Sequence, residues 1–313
     1  MSNLEEPNAV LAVVTLLMGG GSLVVWYLWL SGGLRHLWRW QNGPRVPFGL
    51  VDLFSALLIM AAAELAVSLL TPSSGEVSLS PVDAATLDPA RYWTLALART
   101  LGLVIWCGWI CATRPRAARQ ASTAYARHFR QDLVRGIIGF LLWVPPILML
   151  QAWLASWIDY RHPTAEMLKQ LREFSQIAPV VVTTVLVAPL AEEVLFRGIL
   201  LGWFDRLLVE RPDMHSLLMG SPHESGYVRE GIRGTGFARW GAVLASSFVF
   251  AVLHLGNGPE GQWFGPDLVP LFLLAIVLGW ITRQTGRLTP AIVMHSMLNG
   301  LTVAMIIFVS QST

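Results

Sequence analysis

Charge is scarce in this 313-residue chain: Asp, Glu, Lys and Arg together make up 13% of it, against 54% hydrophobic residues. A soluble globule so poor in charge would precipitate, so the scarcity excludes an ordinary water-soluble domain. Net charge is nearly missing as well. The formal value of +2 and the scatter of the arginines among separate loops exclude nucleic acid as a partner. Cysteine is scarcer still, with only Cys107 and Cys111. Four apart in an apolar stretch, they would share one side of a helix without good disulfide geometry, so they read as two small buried hydrophobes. No solenoid-type repeat, low-complexity tract or domain-separating linker is evident, which leaves a single domain over 1–313.

What the chain has is apolar length and tryptophan. Its mean hydropathy is +0.54, and its 14 tryptophans against 5 tyrosines are an aromatic load of the kind that gathers at bilayer interfaces. The lipid bilayer is therefore the main partner. A span needs about 20 mostly apolar residues, and that rule selects segments near 8–31, 48–70, 92–113, 134–156, 177–204, 240–256, 267–282 and 287–309. The expected fold class is an all-α membrane protein of about eight transmembrane helices enclosing an intramembrane cavity. The first segment follows the acidic pair Glu5 and Glu6 and lacks a small-residue cleavage site, so it reads as a retained helix, not a signal peptide.

Loop charge provides an independent check on this count, because Lys and Arg accumulate on the cytoplasmic side. Arg35, Arg39 and Arg45 follow the first span, Arg114 to Arg130 the third, Arg206 to Arg239 the fifth, and Arg283 with Arg287 the seventh. The alternate loops are poorer in basic residues, except near 157–176, where Arg161, Lys169 and Arg172 face Asp159, Glu166 and Glu173. Both termini are then expected outside. Soluble excursions are expected near 71–91, 114–133 and 206–236, the last a mobile cytoplasmic insertion rich in Gly, Pro, Ser and charge.

Ionisable groups at membrane depth are costly and by default point to function. Here they are Asp52, Glu64, Arg99, Glu192, Glu193, Arg197, His254 and His295. Two adjacent carboxylates repel each other in a low dielectric and need compensation. Arg197 stands one helical turn after Glu193 and is placed to pair with it, while Glu192 projects about 100° away and is free to face a cavity. Pro189 just before them is placed to loosen the helix and leave backbone carbonyls for water or a partner. Each feature alone has a plainer reading: a buried ion pair for Glu193 with Arg197, a helix-to-helix hydrogen bond for His254. His295 and Asn299 lie one turn apart on a shared helix face. Together these residues supply a carboxylate, two imidazoles and a carboxamide, a sufficient set for hydrolysis.

At this point the sequence resembles the type II CAAX endopeptidase and bacteriocin-processing (CPBP or Abi) family of intramembrane proteases. Glu192-Glu193-x-x-x-Arg197 is similar to its first motif, Phe250-x-x-x-His254 to its second and His295-x-x-x-Asn299 to its third, in the right order on apolar segments. The motifs lie within a core of 134–309, and the step of 57 positions from Arg197 to His254 suggests an inserted loop. The resemblance implies an endopeptidase acting on a membrane-anchored protein or peptide. Glu192 with His254 would activate water, His295 and Asn299 would stabilise the oxyanion, Glu193 with Arg197 would organise the site, and Phe250 would contact substrate. The family is commonly labelled metal-dependent, and Glu192, His254 and His295 are the candidate ligands for a divalent metal such as zinc. No His-Glu-x-x-His motif supports a permanently bound ion, since His223-Glu224 is followed by Ser-Gly-Tyr. The expected location is a bacterial-type plasma membrane with the site open toward the cytoplasm.

Other classes were weighed against the same residues. Gly-x-Ser-Gly and Gly-x-Gly-Asp, the marks of serine and aspartyl intramembrane proteases, are both missing. A proton-coupled transporter would also hold carboxylates and histidines at membrane depth, but no pair of matched broken helices is evident. A non-catalytic scaffold or immunity-type protein of the same fold is the remaining alternative, against which the intact motifs argue.

Overall fold

The computed structural model describes residues 6–38, 48–70, 89–158, 168–169, 171, 173–210, 213–220, 236–255 and 264–312. Among them every regular element is helical. These are α1 (Glu6–Leu30), a 3₁₀ turn (Arg35–Trp38), α2 (Leu50–Leu70), α3 (Pro89–Thr113) and α4 (Pro115–Ala155). A long helix over 174–210, here α5, precedes the short α6 (Met214–Met219). Then come α7 (Gly236–Val252), α8 (Leu268–Thr285) and α9 (Thr289–Ser312). Seven of the described helices are long and apolar enough to cross a bilayer, and the apolar part of α7, Trp240–Val252, is a shorter eighth. All eight expected segments are helical, and the chain is an integral multi-pass membrane protein.

Lipid tails are as apolar as leucine, so helices in a membrane associate through close packing and buried polar contacts. Gly136 allows α4 to meet α9: a Cβ there would stand 2.6 Å from Val293 Cβ. Gly102 of α3 comes as close to α2, where a Cβ would lie 2.9 Å from the Met60 backbone. The main core then gathers Trp38, Phe140, Val144, Leu274, Leu278, Ile281 and Met294 from α4, α8, α9 and the 3₁₀ turn.

Two expectations about loops need correcting. The stretch near 114–133 is not a loop but the helical first half of the 41-residue α4. Pro115 pre-sets the dihedral of its first turn and the alanine- and arginine-rich run that follows is a good helix former; hydropathy separates polar from apolar, not coil from helix. The insertion near 206–236 also begins as helix to Glu210 and continues into α6, capped by Asp213, whose side chain accepts from Ser216 N at 3.0 Å. That bond holds the Asp213 carboxyl below its ordinary value. Arg114 Nη2 donates to Met219 O at 3.0 Å, so α6 is docked. Residues 211–212 and 221–235 of the insertion, with most of the loops near 71–91, 157–176 and 257–266, lie outside the described residues.

Arginines from separate loops meet at one end of the bundle. Arg114 grips Asp52 through two bonds of 2.7 and 2.8 Å, and Arg206 donates to Phe48 O at 3.0 Å. Arg283 lies 2.9 Å from Asp205, and Arg287 donates to Asp132 at 2.8 Å. These cross-loop bonds require the arginine-bearing connections to share a side, as the charge pattern expects. The 174–210 helix is roughly 50 Å long at 1.5 Å per residue, so its ends lie on opposite sides. In a Cys107→Ser/Cys111→Ser background, an impermeant thiol reagent should label Met214→Cys only from the cytoplasm and Phe174→Cys only from outside. Labelling of both from one side would break the helix count, and reversed labelling would break the orientation.

Candidate active site

Glu193 is the centre of the arrangement. Its side chain is completely buried on α5, and Oε1 receives two hydrogen bonds, from Arg197 Nη1 at 3.0 Å and from His295 Nδ1 of α9 at 2.9 Å. The first is the one-turn pairing that the Glu-x-x-x-Arg spacing implies. Glu193 Oε2 is buried with no hydrogen-bond partner among the described residues. Arg197 reaches past its partner to Ala275 O of α8 at 3.4 Å, and its guanidinium lies 4.5 Å from the centre of the Phe250 ring. One ion pair thus joins α5, α7, α8 and α9.

Phe250 is the packing hub of the same cluster. Its ring is 4.5 Å from the His254 ring, 4.9 Å from Phe196 and 6.4 Å from His295. At 1% exposure it has no open face. The ring, which the resemblance assigns to substrate contact, is enclosed here by arginine and aromatic neighbours, a cation–π arrangement that holds the site together.

The two histidines have one ring nitrogen occupied each. His254 lies in the turn just after α7, where its Nδ1 meets Phe250 O at 2.7 Å. A carbonyl only accepts, so Nδ1 is the donor and the neutral ring keeps Nε2 as an acceptor; Nε2 has no partner among the described residues. His295 likewise gives its Nδ1 proton to Glu193, and its Nε2 lies 3.8 Å from Glu192 Oε2. Glu192 differs from five other acidic side chains among the described residues. Asp52 pairs with Arg114, Glu64 with Arg99, Asp132 with Arg135 and Arg287, Glu193 with Arg197 and Asp205 with Arg283. Glu192 has no arginine, and its side chain is 29% exposed.

The backbone of α5 explains why adjacent glutamates have such different surroundings. Two π-helical stretches, Val182–Val187 and Glu193–Leu200, flank the α-helical Ala188–Glu192. Wide turns of this kind recur at functional sites because they re-aim side chains. Asn299 sits one turn beyond His295 on α9, and its Nδ2 donates to Thr184 O in the first π stretch at 2.9 Å. The sequence foresaw a carbonyl released by Pro189 but not which one. Thr184 was missed because only its main chain acts, and the signal for it is Pro189 five residues later. Asp132 with Arg287, 155 residues apart, carried no local signal at all.

Two hollows adjoin the cluster. One of about 320 Å³ has Val194, Arg197 and Gly198 on its wall and runs to Asp205, Arg283 and Arg287 at the arginine-rich end. Cys107 and Cys111 also line it and are exposed, not buried as expected. The other, about 340 Å³, is an apolar crevice between α5 and α9 lined by Val181, Val185, Gly300, Val303, Ile307 and neighbours.

The candidate metal ligands do not converge. Among the described residues no three His, Cys, Asp or Glu side chains form a group able to hold an ion. The Nδ1 bonds of His254 and His295 leave each Nε2 available, as in metal-bound histidines, but of the two only His295 Nε2 approaches Glu192, at 3.8 Å. A zinc set of Glu192, His254 and His295 does not fit this arrangement.

Removing one partner of a buried ion pair strands the other, at a cost of about 3–5 kcal/mol. Arg197→Ala should therefore lower folded yield and detergent stability, whereas Glu192→Gln should leave both near normal. Thermal unfolding monitored by tryptophan fluorescence distinguishes them; equal losses would mean that Glu192 is as structural as its neighbour.

Residues 174–301 match the family model described as type II CAAX prenyl endopeptidase, Rce1-like, and the match supports a CAAX-protease (CPBP) family assignment. That range contains all three motifs and every residue of the Glu193 cluster. Searches of curated proteins and of solved structures find no match.

Proposed function

We propose that this CAAX-protease-family membrane protein, matched to that family over 174–301, cleaves a peptide bond of a membrane-associated protein or peptide using water activated by Glu192 and His254. The observation that carries the reading is the contrast between the glutamates. Glu193 is buried and shared between Arg197 and His295, while Glu192 is partly exposed and makes no direct ion pair with an arginine, its nearest partner being His295 Nε2 at 3.8 Å. A carboxylate without a direct arginine partner within a membrane bundle is expensive, and a general base has to be free to accept a proton.

In this reading Glu192 takes a proton from water, and His254 Nε2, left as an acceptor by the bond from Nδ1 to Phe250 O, orients that water. The hydroxide oxygen attacks the carbonyl carbon and the carbonyl becomes an oxyanion. His295 is the residue best situated to meet it, because its Nδ1 is fixed by Glu193 and its Nε2 faces the Glu192 side of the site; a ring protonated at both nitrogens would donate from Nε2. Collapse expels the amine, which takes up the proton held by Glu192. Glu193, Arg197 and Phe250 touch none of the reacting atoms and set the geometry. Each step is written with protein groups alone.

The arginine-rich end is proposed to face the cytoplasm, so that the hollow running from Arg197 to Arg287 opens on that side. Glu192→Gln should reduce cleavage to background with the protein still folded, and His254→Ala should cost about 10² to 10⁴ in rate. Wild-type cleavage by Glu192→Gln would end the protease assignment. Protein stripped by chelators and shown metal-free by elemental analysis should remain active. Activity lost to chelators and restored by stoichiometric zinc would overturn the metal-free mechanism.

A further inference from the structure

Within the first π stretch of α5, backbone bonds run from residue i to residue i−5, and Ala188 N–H donates to Thr183 O in that register. The next donor in line would be residue 189, bonding Thr184 O. Residue 189 is proline and has no N–H. A carbonyl without its donor inside a membrane is costly, and here the bond is supplied from another helix: Asn299 Nδ2 donates to Thr184 O at 2.9 Å. Four residues before Asn299 on α9, His295 bonds Glu193; three residues after Pro189 on α5, Glu192 enters the site. The same two helices are therefore fastened twice, on either side of the catalytic carboxylate.

We infer that Asn299 is a positioning residue that stands in for the N–H missing at Pro189, holding α5 against α9 through the Thr184 carbonyl so that Glu192 and His295 keep their spacing. This deepens the proteolytic reading and rests on it for its effect on catalysis. The bond itself can be tested without activity. The distinguishing feature is that a substitution elsewhere repairs its loss: Pro189→Ala restores a backbone donor in register with Thr184 O, leaving that carbonyl satisfied without Asn299.

The full-length protein in membranes, carrying Glu192→Gln, Cys107→Ser and Cys111→Ser, is given a reporter pair, Val185→Cys with Gly300→Cys. A Cβ at Gly300 stands 3.4 Å from Val185 Cγ1, within reach of a disulfide. Asn299→Ala should slow its oxidative cross-linking about fivefold, the scale of one lost hydrogen bond, and Pro189→Ala/Asn299→Ala should return it to the parental rate. Asn299→Asp, which sets oxygen against the carbonyl, should be at least as slow as Asn299→Ala and needs no proline variant. Parental rates for Asn299→Ala or Asn299→Asp, no repair by Pro189→Ala, or a reporter pair that fails to cross-link would each overturn the inference. In the chain with Glu192 intact, Asn299→Ala should lower kcat with KM unchanged, and Pro189→Ala should restore kcat to within about threefold of the parent, the margin left by one imperfectly replaced hydrogen bond. An oxyanion donor would stay impaired in the double variant, so persistent loss with cross-linking repaired would overturn the catalytic part alone. If no variant or parent cleaves any peptide, the proteolytic reading falls, and cross-linking still decides whether Asn299 replaces the proline donor.

Discussion

The arrangement depends on a single buried carboxylate oxygen, Glu193 Oε1, shared by an arginine on its own helix and a histidine on another. In a low dielectric neither cation nor anion tolerates solitude, so the pair within α5 must form, and the second bond then fixes where α9 lies. Arg197, held by this pair, gives α8 a carbonyl contact and Phe250 a cation to face. Phe250 in turn carries His254 on its carbonyl and against its ring. The positions of both histidines therefore follow from satisfying one charge.

The same economy extends over the bundle. Five acidic side chains are matched with arginines, several of them at the end where the connections gather. These pairs act as staples between helices whose apolar faces have no preference for each other over lipid. Against that background Glu192 stands out: close to the staple at Glu193, it makes no direct arginine pair and has His295 Nε2 3.8 Å away.

Much of this was legible in the sequence because the membrane imposes strong rules. Apolar runs located the helices, arginine alternation paired the loop sides, and Glu193 with Arg197 followed from one helical turn. Pro189 announced a free carbonyl. Illegible were features that depend on the meeting of distant segments or on polar helix. The first half of α4 was read as loop because a string of arginines and alanines is hydrophilic whether coiled or helical. Motif position points Phe250 to substrate and says nothing about enclosure, and an apolar segment implies buried cysteines although Cys107 and Cys111 face a hollow. Asp132 and Arg287 needed the fold itself to become neighbours.

The spacing of these partners along the chain also orders events in time. Arg197 follows Glu193 by four residues, so that charge enters the membrane already accompanied. His295 is synthesised 102 residues after Glu193, which at about 5–20 residues per second is roughly 5–20 s later. Until then the nascent protein has its carboxylates but neither the imidazole from α9 nor the amide of Asn299 to hold the helices together. On the proposed function, the hydrolytic site is therefore complete only once α9 has been made.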